Sequence, residues 1–260
     1  MKNSTWSGRF KKGLDAEVLE FSESISFDHL LFDSDIRVCI AHAEMLSECK
    51  IISKKESNTL IKGLNAVQKK YDAGKLRLSI KFEDVHMNIE QALTKEIGEL
   101  GKKIHMGRSR NDLVATDFRL YLRDCSDLIL EKLRDIRYAL ALSAHDNSSI
   151  IFPGYTHLQL AQPVTFGHHL LAWHEMLARD EQRMAQTKDR LNVLPLGSAA
   201  LSGTPYKINR KSVAKKLGFK TVSSNSMDAV SDRDFVCDFA YTCSMTMMHL
   251  SRISEELVFW

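Results

Sequence analysis

Residues 111–146, from Asn111 to Asp146, read NDLVATDFRLYLRDCSDLILEKLRDIRYALALSAHD and contain neither glycine nor proline. Val114, Phe118, Tyr121, Cys125 and Leu128 recur at three- and four-residue steps, and Ile129, Leu133, Ile136 and Leu140 carry a second stripe at the same spacing. That periodicity predicts one uninterrupted helix, roughly 50 Å long at about 1.5 Å per residue. Two further long helices are expected, one over about 164–191 and one over about 228–260. In the latter, Phe235, Phe239, Thr242, Thr246, His249, Ile253 and Leu257 recur at helical spacing. Helices far above the mean of ~11–12 residues need partners along their whole length, which means a bundle or an oligomer.

Working outward, shorter helical patterns fill the first hundred residues. One spans about 35–50, with Ile36, Cys39, Ile40, Ala43 and Leu46 on one face. The next starts at Ser53 with Glu56 three residues on, a capping-box spacing, and stops near Gly74. Another spans about 84–97 and is closed by Gly98 and Gly101. Residues 1–14 read as an irregular lead-in. No alternating strand pattern of useful length, internal repeat or low-complexity tract is present. The expected fold is all-α, with a compact N-terminal helical domain over 1–108 and a central long-helix bundle over 109–260. The apolar run Leu257–Trp260 has no cap, glycine or polar tail behind it, so the sequence reads as cut there.

Composition narrows the class. Hydrophobic residues are 44% and charged residues 27% of the 260, as in a globular protein, which excludes a disordered tail, a collagen-like fibre and a membrane bundle. The net charge of +3, from 36 basic and 33 acidic residues, gives no electrostatic reason to expect nucleic acid or an anionic membrane. Only 4 prolines and 12 glycines punctuate the chain, in keeping with long helices. The 5 cysteines are odd in number, form no C-x-x-C pair and fall within apolar helical patterns, as expected in a reducing compartment. With no secretory h-region and no run of ~18 apolar residues, a cytoplasmic protein is expected.

Three segments between helices concentrate polar chemistry. Gly107-Arg108-Ser109-Arg110-Asn111-Asp112 stands where the longest helix begins. It reads either as an anion site at a helix N-terminus or as a capped helix start, with Asn111 as N-cap and the arginines in water. Pro153-Gly154-Tyr155-Thr156-His157-Leu158-Gln159 reads as an irregular loop ended by Pro163. It suits a site that donates hydrogen bonds and moves a proton near neutral pH, or else a turn whose His157 caps a helix. Pro195 to Thr204 faintly resembles a phosphate cradle but lacks the Gly-Lys-Ser/Thr of a P-loop, so a close-packed glycine turn is expected. His86 and Glu90 are spaced for an intrahelical hydrogen bond. His168, His169 and His174 lack metal-pair spacing, His249 reads as a satisfied core histidine, and Met245, Met247 and Met248 read as core filling.

Taken in order, these motifs resemble the argininosuccinate lyases of the aspartase/fumarase superfamily. The resemblance rests on Trp6-Ser7-Gly8-Arg9-Phe10, Glu83-Asp84-Val85-His86, Gly107–Asp112, Gly154–Gln159, Pro195–Ser198, Asn225–Ala229 and Ser231–Phe235, and it covers essentially the whole chain. It implies a reversible elimination of argininosuccinate to arginine and fumarate, with no metal or organic cofactor, by a homotetramer whose long helices form a central bundle. The resemblance also assigns roles. His157 is the catalytic acid/base; Thr156 binds a substrate carboxylate; Asn111 binds substrate, flanked by Ser109 and Arg110; Arg108 helps neutralise carboxylates. Ser24 contacts substrate, and His86 and Gln159 support the site from behind. The sequence departs at Ser7, Met106 and Leu160, where glycine, threonine and arginine are usual. The family's mobile loop, with the other catalytic residue, a serine, and the carboxylate that partners the histidine would lie beyond Trp260, so this chain alone is expected to be inactive. A sister lyase of the adenylosuccinate type is the enzyme alternative, and a non-catalytic helical scaffold is the non-enzyme one.

Overall fold

The computed structural model describes residues 15–260; the lead-in, with Trp6–Phe10, lies outside the described residues. In chain order the helices are α1 (Ala16–Ser22), α2 (Ile25–Asp28), α3 (Phe32–Glu48), α4 (Lys54–Asp72), α5 (Val85–Ile97) and α6 (Arg110–Asp146). A hairpin follows, of β1 (Ile151–Thr156) and β2 (Gln159–Thr165), then α7 (Phe166–Leu191), β3 (Val193–Leu194), α8 (Arg210–Leu217), β4 (Thr221–Val222), α9 (Ser226–Ser231) and α10 (Asp234–Phe259). The chain forms two compact units: Met1–Tyr121 with Val193–Ser231, and Leu122–Asn192 with Asp232–Trp260. This division differs from a break at 108, because the boundary falls within α6, between Tyr121 and Leu122, and residues 193–231 belong to the first unit. No described helix is long and apolar enough to cross a membrane.

In the first unit, local signals fix the helix ends. The Ser53 hydroxyl accepts from the Glu56 N–H at 3.2 Å, and the Glu56 carboxylate accepts from the Ser53 N–H at 2.8 Å, so the expected capping box starts α4. Asp84 caps α5 by accepting from the Met87 N–H at 2.8 Å. The apolar faces of α3, α4, α5 and α8 meet in one core, where Phe32, Leu46, Leu60, Leu64 and Leu93 are 1% exposed or less. Each such side chain contributes roughly 1.5–3 kcal/mol relative to exposure. Val114, Phe118 and Tyr121, the first part of the α6 stripe, pack against this core.

In the second unit, α7 runs antiparallel to α6 and to α10. Arg134 Nε donates to Glu181 Oε1 at 2.8 Å, Lys188 pairs with Asp127, and Arg123 donates to Asn192 at 3.2 Å. Between α7 and α10, Trp173 Nε1 donates to Glu256 at 2.6 Å, His249 Nδ1 bonds Asp180 at 2.7 Å, and the Thr187 and Thr242 hydroxyls meet at 3.0 Å. Successive rungs step by seven residues on each helix, the period of a left-handed supercoiled pair.

Several expectations need correction. The segment read as an irregular loop is an antiparallel hairpin, pairing Ile151 with Thr165 through to Thr156 with Gln159. Its alternation is masked by Pro153, Gly154 and Pro163 and by exposure on both faces. The helix expected over 228–260 is two helices, because the Asp232 carboxylate takes the Asp234 N–H at 2.8 Å and opens the chain between α9 and α10. Met247 and Met248 are 63% and 40% exposed, since the buried face of α10 is Thr242, Thr246 and His249 instead. Cys237, also expected on an apolar face, is exposed.

Candidate active site

The first group of site residues is built at the start of α6, in the first unit. Ser109, not Asn111, caps the helix: its Oγ accepts from the Asn111 N–H at 3.4 Å, and its own N–H donates to Asp112 Oδ1 at 2.9 Å. Asp112 is fully buried, and its Oδ2 accepts from the Gly197 and Ala199 N–H groups, both at 2.8 Å. The glycine-rich loop does cradle an anion, but the anion is this carboxylate, so the close-packed turn is what forms. Gly197 sits at φ +95°, where a Cβ would also meet Arg210 Cγ at 2.7 Å, so only glycine fits. Burial pushes the Asp112 carboxyl up, with the three amides pulling it back. Asn111 Nδ2 donates to the Ala200 carbonyl at 3.0 Å.

A second polar group of the same unit joins Ser24 to Arg110. Ser24 precedes α2; its N–H donates to the Glu83 carbonyl at 2.8 Å and its hydroxyl to Asp28 Oδ2 at 2.6 Å. Asp28 also accepts from the Val85 N–H at 3.1 Å, at the start of α5. The Arg110 guanidinium lies 2.7 Å from Asp84 and 3.5 Å from Glu83. Burial raises the Asp84 carboxyl against the opposing pull of His86, the Met87 amide and Arg110. Ser24 and Arg110 therefore flank one carboxylate-lined turn, 83–84, rather than standing apart.

Behind this turn lies a buried charge cluster. His86 does not bond Glu90, which instead lies 3.7 Å from His105. Its Nδ1 bonds Asp35 of α3 and lies 3.5 Å from Asp117 of α6. Burial alone would lower the His86 pKa, but the Asp35 charge and hydrogen bond outweigh it and raise it. For Asp35, burial is outweighed by His86, then Arg108, and the carboxyl is lowered. Asp117 is pushed well up by burial and then by the Asp35 charge. Arg108, expected to face substrate carboxylates, is 9% exposed, and its Nη2 lies 3.2 Å from Cys39 Sγ. His42 donates Nε2–H to the Met106 carbonyl at 2.8 Å; burial and then Arg108 push it down to about 3, so it is neutral. Asp35, His86 and Asp117 offer ligand atoms within 4.8 Å of one another. A cation fits them poorly, because His86 is already engaged by Asp35 and the Arg108 guanidinium supplies positive charge alongside.

The remaining site residues belong to the second unit. Thr156 and Gln159 close the hairpin as its last pair, with the two-residue turn His157–Leu158 between them. His157 and Leu158 sit at φ 51° and 58°, the left-handed pair that such tight turns require and that non-glycine residues adopt under strain. Thr156, His157 and Gln159 are all exposed at the tip. Trp260 packs against Phe152 and Tyr155 of β1, with ring centres 4.5 and 4.6 Å apart. A cavity of about 550 Å³ beside them is lined by Tyr155, His157, His168, Glu255 and Trp260, among others. His169 Nε2 lies 3.1 Å from Glu256, a packing role as expected, and His249 is the satisfied core histidine that its position suggested.

Sequence reasoning gave no role to Asp28, Asp84, Asp112 or Arg210. Two of them carried a readable signal: Asp84 immediately precedes an apolar helical run, as an N-cap does, and Asp112 stands three residues after Ser109, at capping-box spacing. Arg210 carried none; its guanidinium donates to the Leu196 and Ser223 carbonyls at 2.9 and 3.1 Å, and nothing local announces that.

Residues 8–260 match the family model described as "Lyase", and the chain belongs to that family. Among curated relatives, it is 52% identical over 258 residues to the argininosuccinate lyase of Pseudomonas syringae pv. tomato, covering 99% of this chain and 56% of that one. It is also 52% identical over 255 residues to the argininosuccinate lyase of Nitrosococcus oceani, covering 98% and 55%. The chain thus spans about half the length of the curated relatives it matches. Among solved structures, EDDS lyase in complex with formate aligns with a TM-score of 0.82 at 32% identity, covering 96% of this chain and 50% of that one. A fumarate lyase from Mesorhizobium aligns at 0.73 and 20% identity, covering 96% and 58%, which shows a shared fold alone.

Proposed function

We propose that the whole protein is an argininosuccinate lyase, cleaving argininosuccinate reversibly to arginine and fumarate in arginine biosynthesis. The observation that carries this reading is that Gly107–Asp112 and Tyr155–Gln159 stand intact in a chain 52% identical to argininosuccinate lyases. A base removes a proton from the succinyl carbon beside a carboxylate, the charge collects on that carboxylate, the C–N bond breaks, and an acid protonates the departing guanidino nitrogen. His157 serves one of the two proton transfers, from the exposed turn at the hairpin tip. Thr156 and Asn111 hydrogen-bond substrate and Gln159 supports the hairpin turn; Ser24, Ser109 and Arg110 serve substrate from the first unit. Arg108 and His86 act from behind, holding the charge of Asp35.

The working form is a cytoplasmic homotetramer. That agrees with the apolar surface left exposed on α6 (Leu128, Tyr138, Leu142) and α10 (Tyr241, Met247). The 260-residue chain alone does not turn over, since it spans about half of its relatives. The substrate is tested by joining the chain to the C-terminal remainder of a curated relative and following fumarate at its ultraviolet absorbance. Release from argininosuccinate, with none from adenylosuccinate or aspartate, supports the reading; the reverse preference sinks it.

A further inference from the structure

Asp112 does more than a helix cap requires. Capping α6 uses one of its oxygens, which accepts from the Ser109 N–H at 2.9 Å. The other reaches far along the chain, to the amides of Gly197 and Ala199 at 2.8 Å each. A fully buried carboxylate that accepts three amides is well satisfied, and it ties the loop 195–203 to the helix start. The loop is closed on itself by the Gly203 N–H on the Ser198 carbonyl, at 2.8 Å, and by the Ser198 hydroxyl on the Pro195 carbonyl, at 2.7 Å. From the other side, Arg210 of α8 holds the Leu196 carbonyl at 2.9 Å.

The residue that follows the clamped amides is Ala200, whose carbonyl accepts from Asn111 Nδ2 at 3.0 Å. A carbonyl can only accept, so the partner decides which end of the Asn111 amide faces the loop. The other end, the acceptor Oδ1, and the second N–H are left for another group. Without the clamp, the asparagine amide turns freely about its last bond, whose wells are broad.

We infer that Asp112 is a positioning residue: by gathering the Ser109, Gly197 and Ala199 amides it sets the Ala200 carbonyl against Asn111 and so fixes the direction in which the Asn111 amide meets substrate. The inference rests on the proposed lyase reading for the word substrate, but the orientation itself does not.

Two experiments separate these parts. In the 260-residue chain labelled with ¹⁵N, one Asn111 Nδ2 proton should exchange at least tenfold more slowly than a free side-chain amide. Asp112→Asn removes one acceptor from the clamp and should abolish that protection. Arg210→Met, which loosens the loop from its other side, should do the same should Asp112→Asn not fold. Loss of Gly197 and Ala199 amide protection with Asn111 still protected overturns the proposal. In the chain joined to the remainder of a relative, Asp112→Asn and Asn111→Ala should each raise KM for argininosuccinate about tenfold, with little change in kcat. The double variant should be no worse than Asn111→Ala, because the effect of Asp112 passes through Asn111. Multiplying effects mean Asp112 acts as a structural residue only and contradict the inference. An unchanged KM in Asn111→Ala alone removes the lyase reading of that residue and leaves the exchange experiment to decide the positioning.

Discussion

Asp117 is a buried carboxyl whose ionisation couples folding to pH. Its carboxyl is pushed well up, first by burial and then by Asp35, so the folded state favours its protonated form. A carboxyl with a raised folded-state pKa opposes folding once pH exceeds its unfolded value near 3.8. The loss grows until the folded value is reached. His86 works in the same direction from the basic side. Its raised pKa stabilises the fold fully below the unfolded value of 6.5, and the contribution is lost as pH rises through the folded value. Asp35, being lowered, contributes above 3.8 and loses it only as pH falls through its folded value. Asp117→Asn keeps the shape of the protonated acid and cannot ionise. Its melting temperature relative to the native chain should therefore rise as pH increases above 3.8, and a difference independent of pH would show that Asp117 is ionised in the fold. His86 was singled out by the resemblance, but its union with Asp35 and Asp117 was not readable beforehand, because the three come from different helices and no local pattern joins them.

The hairpin and the α7–α10 pair make opposite demands on their sequences. At the hairpin tip the chain accepts two left-handed residues, His157 and Leu158, without glycine. Leu158 is 77% exposed and contributes little packing, so its conformation is a net cost of about 1–2 kcal/mol. Leu158→Gly should relieve it, less the extra chain entropy of glycine, and stabilise the hairpin by about 0.5–1 kcal/mol. This is measurable as slower amide exchange in β1 and β2, and faster exchange would show that the turn is unstrained. Between α7 and α10 the buried rungs are polar. His249→Leu leaves Asp180, among the described residues, with Arg183 at 2.8 Å as its remaining side-chain partner and should cost about 2–3 kcal/mol. Replacing Thr187 and Thr242 together by valine removes both partners and should cost under about 1 kcal/mol. Equal costs for the two changes would contradict the charged rung as the more demanding one. The helices were read well, since periodicity and caps such as Ser53–Glu56 are local. The hairpin was missed because its turn is His-Leu, not Asn-Gly, and prolines face each other across it.

In the molecule as a whole, two compact units share one helix, α6, and the residues that the resemblance assigns to chemistry are divided between them. Ser24, His86 and Arg108–Asn111 belong to the unit containing α1–α5, and Thr156, His157 and Gln159 to the unit containing the hairpin. The all-α class and the long helices followed from low glycine and proline and from the 3-4 spacing. The assignment of residues 193–231 to the first unit did not, because it depends on Asp112 and Arg210 reaching a loop far along the sequence. The central claim is that this fold performs an acid/base elimination through His157. The most direct test is kcat for argininosuccinate cleavage by the chain joined to the remainder of a relative, with and without His157→Ala. A fall of about 10²–10⁴-fold at unchanged melting temperature is the expected result, the range lost when a general acid or base is removed. A variant that keeps native kcat would contradict the claim and return His157 to the role of a hairpin turn residue.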